Sequence, residues 1–420
     1  MSATTRAALR NGDAFALARA QEELDLQLLS RFPTLAARKR ERMSASPHAL
    51  FRGSAPLFHA LLRAQGGVDA LHAAAGVIVG DMHLENVGAY RVDGKDAPVV
   101  FDLNDFDDAA HGLFAVDALR LSVSVLLAGR TFGTSPSLSL ALVERGLETH
   151  ARNLGGARAP RAPEPPDAIA RLVARVEQRS MSRFLDHRAP RLGGERHLVR
   201  GARYLELPAE ARDAVPELVS RWHAALGDRA PKRSERFSVV DAAQRIAGTG
   251  SLGSLRIAVL LADGAGTLRI AEFKEARPSS AHPWPIASDA SRRARSLDAS
   301  LGPAERVVGC ARALVERPTR RLAALPAVPI GREAIDFVGR MLAPQEDKLD
   351  LAALDAWSEK DALVATVFHL LGRAHRRSVQ GKTMRAPKDA ELAALVDRAV
   401  LLAGLFEGIA LAYARLGETA

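Results

Sequence analysis

Apolar residues recur at helical spacing over residues 14–75, through FALARAQEELDLQLLSRF and then HALFRGSAPLFHALLRAQ, and the pattern breaks at Gly66-Gly67. A short helix is expected after that break. Val77-Ile78-Val79 is then a β-branched run ending in Gly80-Asp81, which predicts a buried strand delivered into a loop. Val87–Val92 and Pro98–Leu103 predict two further strands. Asp93-Gly94-Lys95-Asp96-Ala97 between them supplies the turn of a hairpin. From Val116 the stretch VDALRLSVSVLLAGRTF returns to helical spacing with a strongly apolar face. GARAPRAPEPPDA, residues 156–168, reads as a connector, and helices are expected from Ile169 to Leu226.

A second β-rich stretch starts near Phe237. A glycine-rich turn leads into a strand at Leu255–Leu261, the turn Asp263-Gly264-Ala265-Gly266 and another strand at Leu268–Lys274. A loop rich in Ser, Pro and Ala follows, and helical patterning occupies most of Pro303–Leu416. No internal repeat is visible. The pattern predicts an α+β chain in three parts. Residues 1–236 are mainly helical and carry the first β island, 237–342 carry the second, and 343–420 are C-terminal helices that pack on the first part.

Composition narrows the picture. At 420 residues, 47% hydrophobic and 25% charged, the chain is long enough to bury a full core without crosslinks. Its one cysteine, Cys310, lies mid-helix as a core residue and cannot form an internal disulfide, which fits the cytoplasm. No run approaches 18 apolar residues and the first residues lack an apolar signal core, so neither a membrane span nor a signal peptide is expected. The net charge of +9 comes from 58 Lys and Arg, of which only eight are Lys. The arginines are scattered over amphipathic helices without interleaved aromatics, which argues for solvated helix faces rather than a nucleic-acid partner.

The acids are not scattered. Asp81, Glu85, Asp93, Asp96, Asp102, Asp105, Asp107 and Asp108 stand against only Arg91 and Lys95, a local charge of −6. Carboxylates crowded around strands repel one another unless a cation or solvent screens them. Mg²⁺, which takes one or two carboxylates together with phosphate oxygens and water, is one such cation. A Ca²⁺ site or a solvated acidic hairpin is the alternative. His83, in the same loop, reads as a hydrogen-bonder ahead of a metal ligand. Gly248-Thr249-Gly250-Ser251-Leu252-Gly253 is a G-x-G-x-x-G element, weak by itself. Strands on both sides of it, with a lone lysine, Lys274, one strand later, set it apart from a dinucleotide-binding turn, which opens a helix.

These residues carry a resemblance. Gly80-Asp81-Met82-His83-Leu84-Glu85-Asn86 resembles the catalytic loop of aminoglycoside and choline phosphotransferases and of protein kinases. NDFDDAAHGLFAVDALRL resembles the metal-binding stretch of the same phosphotransferases. The resemblance implies that Asp81 orients and deprotonates an acceptor hydroxyl, and that Asn86 and Asp105 bind Mg²⁺. Asp102, at the end of VVFD, ranks close behind Asp105 for the metal. Asp117, twelve positions after Asp105, would brace the loop from beneath. The glycine-rich turn and Lys274 resemble the ATP-covering lobe of kinases, so Gly248, Gly250, Ser251, Gly253 and Lys274 are implied to hold the nucleotide phosphates. Here that lobe follows the catalytic loop, the order of a circularly permuted, two-lobed kinase-like fold.

Over residues 38–378 the chain also resembles the domain of unknown function 2252 family, through RERMSASPHALFRGSAPLF, VGDMHLENVGAY, VVFDLNDFDDAAHGLFAVDALRL, AAQRIAGTGSLGSLR, EFKEARPS and GRAHRRS. Where that family tends to carry a glutamate in R-V-V-E-G-Q-R, this chain has Arg306-Val307-Val308-Gly309-Cys310-Ala311-Arg312. The partner of Lys274 is then expected to be Glu305, Glu275 or none.

The expected function is an ATP·Mg²⁺-dependent phosphotransferase acting on a small-molecule hydroxyl, with neither nucleic acid nor membrane as partner and oligomeric state left open. A nucleotide-binding pseudokinase and AMP transfer from the same fold are the alternatives. A metal-dependent phosphoesterase lacks its upstream D-x-H and later G-N-H. Arg52 is expected to reach a phosphate or to pair with a carboxylate, and His375 to be a surface or packing residue.

Overall fold

The structure, a computed structural model, describes residues 3–66, 74–91, 97–155, 161–227, 237–281, 301–319, 321–344, 346–351, 354, 356–380 and 384–416. The short helix expected after Gly67, most of the Asp93–Ala97 turn, the start of the 156–168 connector and most of the Ser/Pro/Ala loop lie outside these residues.

Five helices open the chain: α1 (Ala3–Asn11), α2 (Ala14–Leu28), α3 (Ala36–Ser44), α4 (Pro47–Gly53) and α5 (Ala55–Ala64). Their starts are encoded locally. Asp13 Oδ1 accepts from the backbone N–H groups of Phe15 (3.1 Å) and Ala16 (3.0 Å) ahead of α2. Ser46 Oγ accepts from Ala49 N–H (3.1 Å) ahead of α4, with Pro47 at the first helical position.

Next come β1 (Ala75–Ile78), β2 (Val87–Arg91), β3 (Val99–Leu103), β4 (Ala110–Leu113), α6 (Phe114–Phe132) and α7 (Pro136–Gly155). β2 and β3 form the expected hairpin, and β1 pairs antiparallel with β4. Every residue of α6 from Phe114 to Val125 is buried, polar ones included, which makes it the axis of the larger core. α7 packs beside it.

Then follow α8 (Asp167–Glu177), α9 (Met181–Arg188), β5 (Arg191–Leu192), β6 (Glu195–Arg196), β7 (Tyr204–Leu205), α10 (Ala209–Asp213) and α11 (Val215–Leu226). The second β stretch is β8 (Ser238–Arg245), β9 (Arg256–Ala262) and β10 (Leu268–Glu275). After it stand α12 (Pro303–Leu314), β11 (Ala323–Ile330), β12 (Glu333–Leu342), β13 (Glu346–Lys348), α13 (Trp357–Ser378) and α14 (Asp389–Leu416).

The second β stretch is larger than the sequence suggests. Its sheet runs β11-β12-β10-β9-β8-β7, with all neighbours antiparallel. Side chains alternate between two cores. Ile257, Val259, Ala271, Phe273 and Phe337 face Trp222 and Leu218 of α11. Ala258, Leu260 and Ile270 face Leu185, Leu198 and Tyr204. β11 and β12 sit inside the stretch given to helical patterning, and β5, β6 and β7 inside another. Pro326 and Pro329 remove the N–H groups a helix would need, and Gly331, at φ 58°, closes the β11–β12 turn. β13 leaves the large sheet and pairs with β2, Lys348 opposite Gly88, so the two β regions sit side by side. α14 packs on α2 and α6 and completes the helical core.

Candidate active site

The loop after β1 is fixed from below. Gly80 adopts φ 79°, and a Cβ there would stand 2.1 Å from the carbonyl oxygen of Asp108, so only glycine fits. Asp117, fully buried at the start of α6, accepts from the backbone N–H groups of Val79 (2.6 Å) and Gly80 (2.9 Å). His375 of α13, stacked on Phe114, donates Nε2–H to Asp117 Oδ2 (3.0 Å), and His150 of α7 donates to His375 Nδ1 (2.9 Å). His59, kept neutral by burial, donates to the Gly80 carbonyl (2.9 Å). Asp117 thus braces the loop. His375, expected at the surface or as packing, is a buried member of that brace.

Asp81 faces Arg120. Arg120 Nε donates to Asp81 Oδ1 (2.9 Å), and its Nη2 bonds the same oxygen and the Phe51 carbonyl (3.1 Å). The guanidinium is wholly buried, 4.2 Å from the Phe51 ring centroid and 4.8 Å from that of Phe58, and its Nη1 has no hydrogen-bond partner. Burial pushes the Asp81 carboxyl up to about 7; Arg120 opposes this and the nearby Asp108 and Asp105 add to it. A carboxyl in that range exchanges its proton at neutral pH.

Asn86 donates Nδ2–H to the Asp81 carbonyl (2.5 Å), which turns its Oδ1 the other way. That oxygen is buried and has no hydrogen-bond partner. His83, held neutral by burial, accepts from Glu85 N–H at Nδ1 (3.1 Å), the bonding role expected of it. Arg52 pairs with Glu85 (2.8 Å).

The acidic run then divides. Asp105, Asp107 and Asp108 line a cleft of about 230 Å³ together with Asp81 and Asn86. Asp102 is not among the lining residues. It sits within β3, nine-tenths buried, accepts from Leu103 N–H (2.8 Å), and has Arg377, Glu316 and Tyr90 as charged and titratable neighbours. Burial pushes its carboxyl up. Of the two acids weighed for the metal, Asp105 is the one that shares the cleft with Asn86.

Across the cleft stands the glycine-rich turn; Lys274 is not itself a lining residue and meets the cleft through Asp105 and Asp107, which are. Gly248, Gly250 and Ser251 line it. Gly253 lies behind, at φ 98°, where a Cβ would come within 2.5 Å of the Leu28 carbonyl oxygen of α2. The Ser251 hydroxyl donates to the Ala247 carbonyl (3.0 Å) and so stabilises the turn itself. Lys274 Nζ is 3.9 Å from Asp105 Oδ1 and forms an ion pair with Asp107. The two segments, far apart in sequence, face one cleft. Burial would raise the Asp105 carboxyl, but Lys274, Lys348, Arg256 and Arg340 outweigh it and the carboxyl lies below its usual range. For Lys274, burial lowers the ammonium pKa against the opposing pull of Asp105.

The partners expected for Lys274 are not the ones it has. Glu305 accepts from Gly302 N–H (3.1 Å) and caps its own helix. Glu275 accepts from Leu255 N–H (2.7 Å) and pairs with Arg277 and Arg31. Arg120 and Asp107 both lie in NDFDDAAHGLFAVDALRL, but the resemblance gave neither of them a role. An arginine in the largely apolar run VDALRLSVSVLL was the available signal for the first.

Among the described residues no group of three or more His, Cys, Asp or Glu side chains is arranged to hold a metal ion. The oxygen donors that are present fit a different case: the orphaned Asn86 Oδ1 and the ionised Asp105 offer the one or two protein ligands Mg²⁺ takes when phosphates and water supply the rest.

A family model described as an uncharacterized protein conserved in bacteria (DUF2252) matches residues 31–415. No curated protein and no solved structure matches the chain.

Proposed function

The chain belongs to the DUF2252 family, and we propose that it is an ATP·Mg²⁺-dependent phosphotransferase acting on a small-molecule hydroxyl. One observation carries the reading: Lys274, beyond a glycine-rich turn, stands 3.9 Å from Asp105, and Asp105 lines one cleft with Asp81 and Asn86. The order of elements supports a kinase-like arrangement in permuted form. The glycine turn joins β8 and β9, Lys274 lies on the next strand and α12 follows, while the loop, hairpin, acidic run and α6 precede them all. Chemistry that draws on ATP, with Cys310 as the single thiol, suits the cytoplasm.

Each residue then has a task. Asp81 takes the proton of the acceptor hydroxyl at Oδ2, the oxygen that Arg120 leaves unbonded, while Arg120 fixes Oδ1. Asn86 Oδ1 and Asp105 would hold Mg²⁺, which when bound supplies positive charge at phosphate oxygens. Lys274 neutralises phosphate charge from the facing strand, and the turn at Gly248–Gly253 offers backbone N–H groups to the same oxygens. Asp117, His375 and His59 keep the loop that carries Asp81 from moving.

The test is the melting temperature with ATP. With Mg²⁺ it should rise, with chelator it should rise much less, and Asp105→Ala should remove most of the metal-dependent gain. A gain indifferent to both chelator and Asp105→Ala would sink the reading. A nucleotide-binding regulator without turnover is the second reading, favoured by the two bonds from Arg120 to the one carboxylate that must accept a proton.

A further inference from the structure

Lys274 raises a question that the donor site above leaves open: which carboxylate holds its ammonium group toward the phosphates. Helix α12, which follows its strand, is the obvious source. Its only acid is Glu305, and Glu305 is engaged in capping that helix. Glu275, the neighbour of Lys274 in sequence, bonds Leu255 N–H, Arg277 and Arg31. Glu272, two residues earlier on the same face of β10, is buried among Arg245, Arg256 (3.4 Å) and Arg340 (3.0 Å). These three acids of the large sheet and its helix are therefore committed elsewhere.

The acidic run supplies what the sheet does not. Lys274 forms an ion pair with Asp107 and lies 3.9 Å from Asp105. The backbone around Asp107 is clamped from the side of the large sheet. Arg306 of α12, buried, donates to the carbonyls of Asp107 (3.0 Å) and Arg277 (2.7 Å) and also bonds that of Ala109. Ser279 Oγ donates to the Asp108 carbonyl (2.7 Å), and Ser280 N–H to Asp108 Oδ1 (2.7 Å). The helix thus contributes an arginine that holds the main chain of the carboxylate, in place of a carboxylate of its own.

We infer that Asp107 is the positioning residue for Lys274, with Arg306 as its strut, and that the acidic run is divided between Asp105 for the metal and Asp107 for the lysine. The inference rests on the donor-site reading only for its consequence in nucleotide binding. A cation at Asp105 withdraws that carboxylate from Lys274, and Asp107 then remains to hold the ammonium beside the cleft. Without Asp107 the lysine would swing away, since no free acid stands on α12 to catch it.

The experiment has two arms on the full chain. In the ligand-free arm, urea unfolding of Lys274→Met, Asp107→Asn and the double variant should show coupling of about threefold to tenfold in the unfolding equilibrium, the size expected for a half-exposed contacting pair. The same cycle with Glu305→Gln, which preserves the helix cap, should show none. In the nucleotide arm, ATP·Mg²⁺ affinity should fall about tenfold in Asp107→Asn and recover in part in Asp107→Glu, while Glu305→Gln leaves it unchanged. Absence of coupling to Asp107, or equal coupling to Glu305, overturns the assignment. So does an Asp107→Asn variant that binds ATP·Mg²⁺ as the parent does. If the parent shows no response to ATP·Mg²⁺ at all, the donor site falls and the ligand-free cycle alone decides the pairing.

Discussion

Asp81→Asn is the most informative substitution, because one carboxyl governs both a pH-dependent stability and the proposed chemistry. In the folded chain Asp81 titrates near 7 instead of its ordinary 3.8, so the native state holds this proton more tightly than the unfolded one. The associated stabilisation is present in full below about pH 4 and is lost as pH rises through 7. Ionising a carboxyl so displaced costs on the order of 4 kcal/mol, an upper figure because a quarter of the side chain meets solvent. Asparagine keeps a carbonyl oxygen for Arg120 and does not titrate. The stability of Asp81→Asn relative to the parent should therefore climb between pH 4 and pH 8, by up to that amount, in denaturant titrations at a series of pH values. A difference that stays flat across the series, within the error of linear extrapolation, would refute the buried-carboxyl account. Turnover is the companion measurement. In the parent, ATP consumption with an acceptor should fall about tenfold per pH unit below 7, as the basic form of Asp81 disappears. In Asp81→Asn it should drop by roughly 10²-fold or more, while nucleotide affinity holds. Unchanged turnover in the variant would remove Asp81 from the chemical step.

Three further outcomes follow from the same geometry. Asp102→Asn should keep the Mg²⁺-dependent rise in melting temperature with ATP that Asp105→Ala loses, since Asp102 faces Arg377 and Tyr90 instead of the cleft; loss in both would put the metal elsewhere. Arg120→Met strips a buried partner from Asp81 and should destabilise by about 3–5 kcal/mol at pH 8 and by less at pH 5, where Asp81 takes up a proton, as read by denaturation at the two pH values. Gly80→Ala should lower stability by about 2 kcal/mol or more and abolish turnover, because its Cβ would sit 2.1 Å from the Asp108 carbonyl at a φ of 79°; a variant with parental melting temperature would contradict the tight approach of the two loops.

Much of this protein was legible in local patterns. The run Val77-Ile78-Val79 into Gly80-Asp81, the β2–β3 hairpin, the helix that begins at Phe114 and the glycine turn between β8 and β9 are each set by residues within a few positions of one another. The motif resemblance also named Asp81, Asn86, Asp105 and Lys274; the fold brings the first three to one cleft and sets Lys274 3.9 Å from Asp105. The same reasoning missed β11, whose alternation is broken by prolines, and β12, and both are recognised only once β10 offers an edge for β12 to pair with. It could not choose between Asp102 and Asp105, three residues apart, because that choice depends on where the strand ends and which way each carboxylate turns. Nor could it find the pairing of Arg120 with Asp81, of His375 with Asp117, or of Lys274 with Asp107, which span 39, 258 and 167 positions of the chain. Periodicity and turn chemistry act over neighbouring residues. Ion pairs and buried hydrogen bonds fall off within a few ångströms, so their partners exist only after the large sheet has docked against the acidic run and α13 has packed beneath the loop.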